Sequence, residues 1–201
     1  MQDYFLGTVI FTLPEQTISE LQWNTKELEG AFETVWSLPE PHITLYQAKF
    51  PVVQKNAVVE ELAQICSQCA APRFEYVWPN IKNNYIGLAF RRTESLMVLH
   101  ETIVKTLNPI RSGAIKSVYI ERRSEFSPLE QEMIDTRGYP YVFDNYIPHI
   151  ALVLLANGDD IDRAVSHIHT PNIFVAKSVQ LVIYHDGVKT YESFEFKQTA
   201  A

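Results

Sequence analysis

The sequence is poor in the residues that mark several large classes of protein. Two cysteines among 201 residues, Cys66 and Cys69, are too few for a secreted disulfide framework and point to a reducing compartment, the cytoplasm. Seven glycines nowhere gather into a phosphate-cradling loop, so nothing suggests a P-loop or a dinucleotide fingerprint. No apolar run approaches the roughly 20 residues that span a bilayer. The opening run alternates, carries Asp3 where a secretory signal has positive charge, and stops at Pro14. A basic surplus is missing too. Against 24 Asp and Glu stand 17 Lys and Arg, a formal charge of −7, which argues against a chain that grips long double-stranded nucleic acid by its phosphates. A small nucleotide or an RNA end remains a plausible partner; a membrane does not. Repeats and low-complexity linkers are also absent.

What is present suits one soluble domain over residues 1–201, expected to be a monomer: 46% of the residues are hydrophobic, enough for a core that folds without staples. Residues 4–13 alternate and are rich in strand formers, and Pro14 opens a polar, roughly periodic helix to about residue 31. HITLYQAKF at 42–50 reads as a strand. Val53, Ala57, Val58, Leu62, Ile65 and Cys69 fall on one face of a helix over 53–70. RFEYVW (73–78) and YIGLAF (85–90) read as a hairpin pair around Pro79, Asn80, Asn83 and Asn84. Thr93 caps a helix over 93–107 that Pro109 ends. Residues 115–120 look strand-like, and Ser127 with Glu130 forms a capping box for a short helix. A strand over 147–155, a helix over 159–168 and a C-terminal hairpin turning at His185-Asp186-Gly187 complete the chain. This mixture favours an antiparallel α+β layer arrangement.

Two segments are alike. LPEPHITLYQAKF and DNYIPHIALVLL each run Pro, His, Ile, a small residue, Leu, with the histidines His42 and His149 at strand starts 107 positions apart. By alternation His42, Thr44 and Tyr46 share one face, with Ile43 and Leu45 opposite. His149, Ala151 and Val153 oppose Ile150, Leu152 and Leu154 in the same way. A pair of imidazoles suits phosphodiester chemistry: the neutral ring takes a proton from the attacking oxygen while the protonated one gives a proton to the leaving oxygen. The Thr44 hydroxyl, two residues on, is placed to hold a non-bridging phosphate oxygen.

The paired motif resembles the two-histidine (2H) phosphoesterase superfamily, whose members include 2′,5′ RNA ligase-like proteins and cyclic nucleotide phosphodiesterases. The matches are His42-Ile43-Thr44 and His149-Ile150-Ala151, with looser likeness in FLGTVIFTLP and in the closing SVQLVIYHDG…YESFEF hairpin. SPLEQEMIDTRGYPYVFDNYIPHIALV is similar to the region before the second histidine in a phosphonate-operon-associated branch. The resemblance implies two pseudo-symmetric lobes of antiparallel strands, flanked by helices around a central cleft. It also implies a hydrolase that needs neither metal nor cofactor, acting on a 2′,3′-cyclic phosphate or a 2′,5′-linked oligonucleotide, with His42 and His149 as acid and base. Ala151 departs from the pattern, because the family has Thr or Ser there. That loss leaves two expectations, slower or differently assisted turnover, or a degenerate module that binds a nucleotide or RNA end. Tyr146, Tyr119 and Lys116 are candidate replacement donors.

Other residues have plainer alternatives. Tyr46 either stacks on a base or packs, and Trp78 reads as packing. Arg122, Arg123 and nearby Lys116 form the one local basic cluster, either an anion-contacting loop over the cleft or a solvated run. Cys66 and Cys69 lack the context of a redox or zinc pair. His167 and His169 read as cations at a helix end, and neither His100 nor His185 shows a partner pattern.

Overall fold

The structure, a computed structural model, describes residues 3–37 and 40–198; Leu38 and Pro39 of the first histidine segment lie outside them. In order the elements are β1 (Tyr4–Thr12), α1 (Glu15–Ala31), β2 (Thr34–Ser37), β3 (Ile43–Pro51), α2 (Lys55–Gln68), β4 (Arg73–Phe74), β5 (Tyr76–Lys82) and β6 (Tyr85–Phe90). There follow α3 (Glu94–Ile110), α4 (Ser117–Glu121), α5 (Pro128–Arg137), β7 (His149–Leu155), α6 (Ile161–Ser166), β8 (Phe174–Val175), β9 (Ser178–His185) and β10 (Val188–Phe194). Two four-stranded antiparallel sheets carry the fold, in the orders β10-β9-β1-β3 and β2-β7-β6-β5. Helices α2 and α3 pack on the first sheet and α1 on the second, and β3 meets β7. One cluster of buried side chains runs through both, from Phe5, Leu45 and Phe50 to Leu88, Ile150 and Leu152. No helix among the described residues is long and apolar enough to cross a membrane.

Local signals hold well. Thr93 accepts a hydrogen bond from the Leu96 N–H and caps α3, which runs one residue past Pro109. Ser127 and Glu130 form the reciprocal capping box of α5, and Gly138 closes that helix at φ 75°. The β9–β10 hairpin turns on Asp186 and Gly187, both at positive φ.

Three expectations change, and one strand appears where none was expected. Residues 115–120 do not form a strand: Ser117–Glu121 is a helical turn. No sheet edge is paired with it, so the β-branched Ile115, Val118 and Ile120 fall back on local hydrogen bonds. Thr34–Ser37 is a strand that a four-residue edge segment scarcely announces. Pro79 and Asn80 lie inside β5 rather than at the hairpin tip, which is Asn83-Asn84; β5 is an edge strand, where a missing N–H is tolerated. Val53 is 85% exposed, in a 3-10 turn ahead of α2.

The most consequential change is in the histidine strands. In β3, Thr44 faces Ile10 and Tyr46 faces Val9, leaving Leu45 without a partner on β1. In β7, Ala151 faces Gly87 and Val153 faces Ile86, leaving Leu152 over. Each is a β-bulge, and each reverses the inward–outward alternation beyond it. The pairs Leu45–Tyr46 and Leu152–Val153 are therefore both fully buried, while Gln47 and Leu154 turn to the outer side with their histidines. Tyr46 thus leaves the face of His42: it is a core residue whose hydroxyl donates to the Arg137 carbonyl at 2.6 Å.

Gly87 makes the second bulge possible. A Cβ there would lie 2.4 Å from the Ile150 carbonyl oxygen. Gly87→Ala is expected to cost about 1–3 kcal/mol through forced backbone displacement, read as a lower midpoint of denaturant unfolding; an unchanged midpoint would contradict the register.

Candidate active site

Both histidines are set by the same device. His42 immediately precedes β3 and its Nδ1 lies 2.8 Å from the Glu40 carbonyl oxygen; His149 opens β7 and its Nδ1 lies 2.8 Å from the Ile147 carbonyl oxygen. A carbonyl only accepts, so Nδ1 carries the hydrogen in each ring, and the neutral imidazole holds its lone pair on Nε2. Neither Nε2 has a partner within the described residues. In each case a proline, Pro41 or Pro148, lies between the ring and the residue whose carbonyl it meets, and a following proline biases that residue, Glu40 or Ile147, towards extended backbone.

Burial is the largest influence on both rings. Burial lowers the pKa of His42 below the ordinary 6.5; its Glu40 carbonyl bond opposes this, and the charges of Lys189 and His149 add to the lowering. Burial also lowers His149, again opposed by its carbonyl bond. His149 is thus among the groups whose charge acts on His42.

Around them, Thr44 lies on the face of His42, and the half-exposed Ala151 occupies the equivalent place beside His149 with no hydroxyl to offer. His149 borders an open cavity of about 780 Å³, together with Lys82, Tyr85, Arg122, Tyr141 and Ile147. Lys82 donates to Tyr141 at 3.0 Å and pairs with Glu130 at 3.4 Å. Arg122 lines the cavity but is held by Glu125 at 2.9 Å. Arg123 is not brought in: it makes a two-pronged pair with Asp135 on α5, both contacts at 2.7 Å. Lys116 and Tyr119, one helical turn apart, both donate to Gln47 at 3.2 Å. Tyr146 is buried, stacked flat on His100, so it is withdrawn from the cavity surface. Among the described residues no group of three or more His, Cys, Asp or Glu is arranged to hold a metal ion. Cys66 is buried and Cys69 half-buried, and both are free thiols.

A family model described as "Protein of unknown function (DUF1045)" matches residues 49–177, well over half of the chain. The chain belongs to that family. The match contains His149 and begins just beyond His42 and Thr44, so the first motif of this DUF1045 protein lies outside it. No curated protein matches. Among solved structures, Escherichia coli LigT in its apo form is 13% identical with a TM-score of 0.57, covering 98% of this chain and 99% of LigT. LigT complexed with 3′-AMP gives 13% and 0.52, with 96% and 95% covered. A structure described only as a phosphoesterase gives 15% and 0.52, with 98% and 99% covered. At such identities the likeness is one of fold, two antiparallel sheets flanked by helices as in LigT.

Three residues escaped the sequence reading of this DUF1045 protein. Gln47 was hidden by the bulge. Lys189, on the distant β10, pairs with Glu40 at 3.4 Å and acts on His42 through its charge. His100 is fully buried on α3; its Nδ1–H donates to the carbonyl of Leu45, the bulge residue, at 2.9 Å, and its Nε2 accepts from the Phe143 N–H at 3.0 Å. One side chain therefore ties the strand of His42 to the segment leading into His149. Only the spacing His42, His100, His149 was visible beforehand, and it carries no signal of contact.

Burial holds the His100 pKa down to about 4. A depressed histidine binds its proton more readily when unfolded, so its contribution to stability is full above about pH 6.5 and is lost as the pH falls toward 4. His100→Phe is expected to lower stability at pH 7 by about 1–3 kcal/mol, the cost of an unpaired buried polar group. It should also flatten the loss of stability between pH 6.5 and 4, measured by denaturant unfolding at several pH values; an unchanged slope would exclude His100 as the titrating group.

Proposed function

We propose that this protein is a phosphodiesterase acting on a 2′,3′-cyclic phosphate or a 2′,5′-linked nucleotide end, with His42 and His149 as the general acid and base. The observation that carries the reading is the matched pair of Nδ1–carbonyl hydrogen bonds, which leaves two Nε2 atoms without partners among the described residues, with His149 among the charges that act on His42. In hydrolysis one neutral Nε2 takes a proton from water as its oxygen bonds to phosphorus. The other ring, protonated at Nε2, gives its proton to the sugar oxygen as the P–O bond breaks, so a cyclic diester and water become a monoester. Thr44 donates to a non-bridging oxygen as charge accumulates there. None of these steps calls on a metal ion or a cofactor. That LigT binds 3′-AMP in a protein of the same fold supports a small nucleotide as the substrate class. Ala151 favours a second reading, a module that binds such an end with little turnover.

Incubation with a panel of 2′,3′-cyclic nucleotides and 2′,5′-oligoadenylates, following both product and thermal stabilisation, separates the two: stabilisation without product leaves only binding. His42→Ala and His149→Ala are each expected to lower kcat/KM by about 10²–10⁴-fold; full activity in either sinks the proposal. Because both rings titrate below 6.5, the bell-shaped profile of kcat/KM should peak on the acid side of that value.

Ala151→Thr restores the missing donor on a half-exposed strand position. A hydrogen bond to a charged group is worth about 1.5–3 kcal/mol, so kcat is expected to rise by roughly ten- to a hundred-fold if the bond forms in the transition state. No gain in the folded variant would show that this position does not meet the phosphate.

A further inference from the structure

Lys116 is a half-buried cation with no carboxylate partner among the described residues. Its ammonium donates to the neutral Oε1 of Gln47 at 3.2 Å, an atom that also accepts from Tyr119 at 3.2 Å. The other end of the same amide donates from Nε2 to the Thr8 hydroxyl at 2.9 Å. Gln47 is thereby fastened at both ends and serves as a bracket, leaving ammonium protons of Lys116 unused. The two basic residues at the neighbouring cavity differ: Lys82 is paired with Glu130 and Arg122 with Glu125. Burial depresses the pKa of Lys116 and no neighbouring charge offsets it. A desolvated ammonium in that condition gains from an incoming anion, whose attraction is stronger there than in bulk water.

The register gives the position. Thr44 faces Ile10 and Gln47 faces Thr8, so the two lie two residues apart along the regular strand β1, roughly 7 Å at a strand rise of about 3.4 Å per residue. Both lie on the face of His42. This separation is comparable with the reach between phosphates on the two sides of one ribose.

We propose that Lys116, braced by Gln47 with Tyr119 beside it, forms a second anion subsite for a phosphate one ribose away from the scissile ester. The inference rests on the phosphodiesterase reading for the identity of the first site. It makes the substrate a nucleotide with two phosphates, the second being either an internucleotide linkage or a 5′-terminal group.

Calorimetric titration at low salt with 3′-AMP, adenosine 3′,5′-bisphosphate and a diadenylate ending in a 3′-phosphate tests it in the intact protein. For the wild type at least one of the two doubly phosphorylated ligands should bind about tenfold or more tightly than 3′-AMP. Lys116→Gln should abolish that preference while leaving the affinity for 3′-AMP, and Lys116→Arg should keep much of it. A gain confined to the diadenylate identifies the internucleotide phosphate, and a gain confined to the bisphosphate identifies the terminal one. Equal affinity for all three ligands, binding of none, or a parallel loss for all in Lys116→Gln overturns the subsite. Turnover of cyclic phosphates is scored separately, so a Lys116-dependent preference without turnover would retain the subsite and discard the phosphodiesterase reading.

Discussion

One surplus residue in each histidine strand governs what the two sheets present. Leu45 and Leu152 have no partner on the adjoining strand, and each forces two consecutive side chains into the core. Beyond the bulge the outward face belongs to a different set of residues from the one simple alternation would select. A bulge also leaves backbone groups outside the ladder, and burial would make an unpaired carbonyl costly. At Leu45 that carbonyl is taken by the imidazole of His100, whose other nitrogen is already bonded to the segment before β7. In β7 the bulge lies beside Gly87, whose missing side chain lets the backbone of Ile150 approach. The placement of two rings is thus inseparable from the way their strands deviate from regularity.

The same structure uses three histidines in two ways, and environment alone separates them. His42, His100 and His149 all direct Nδ1 at a backbone carbonyl. His100 also has Nε2 occupied, lies flat against Tyr146 at 3.9 Å between centroids and is fully buried; it has no atom left for chemistry. The other two keep Nε2 without a partner among the described residues. Burial and the state of Nε2 therefore separate His100 from the two strand histidines, although all three share the same Nδ1 contact.

Much of this was legible in the sequence because its causes are local. The caps at Thr93 and Ser127, the Asp186-Gly187 turn and the strand character around both histidines depend on residues within a few positions of one another. The paired His-Ile motifs were visible for the same reason, and Thr44 precedes the bulge, so alternation placed it correctly on the outward face. Tyr46 and Val153 follow the bulges, and a single sequence carries no mark of where a ladder slips. Lys189 and Glu40 meet across 149 positions, and Lys116 reaches Gln47 across 69; such contacts arise only once both sheets are assembled. The helical turn at Ser117–Glu121 was misread because β-branched residues favour strands only where a neighbouring strand is present to pair with them.

The likeness of the two strands also sharpens their one chemical difference. Around the rings the halves repeat: proline before, a carbonyl two residues back, an inward isoleucine after, a surplus leucine beyond. A groove that was wholly twofold would accept a ligand and its end-for-end reversal equally well. Thr44 has a hydroxyl, Ala151 has a methyl, and Gln47 with its bound lysine stands where the other strand has Leu154. The repeat is accordingly broken in polarity, with a hydroxyl and an amide after His42 and a methyl and an isobutyl group after His149, so that any guest spanning both strands would meet unlike surroundings at its two ends.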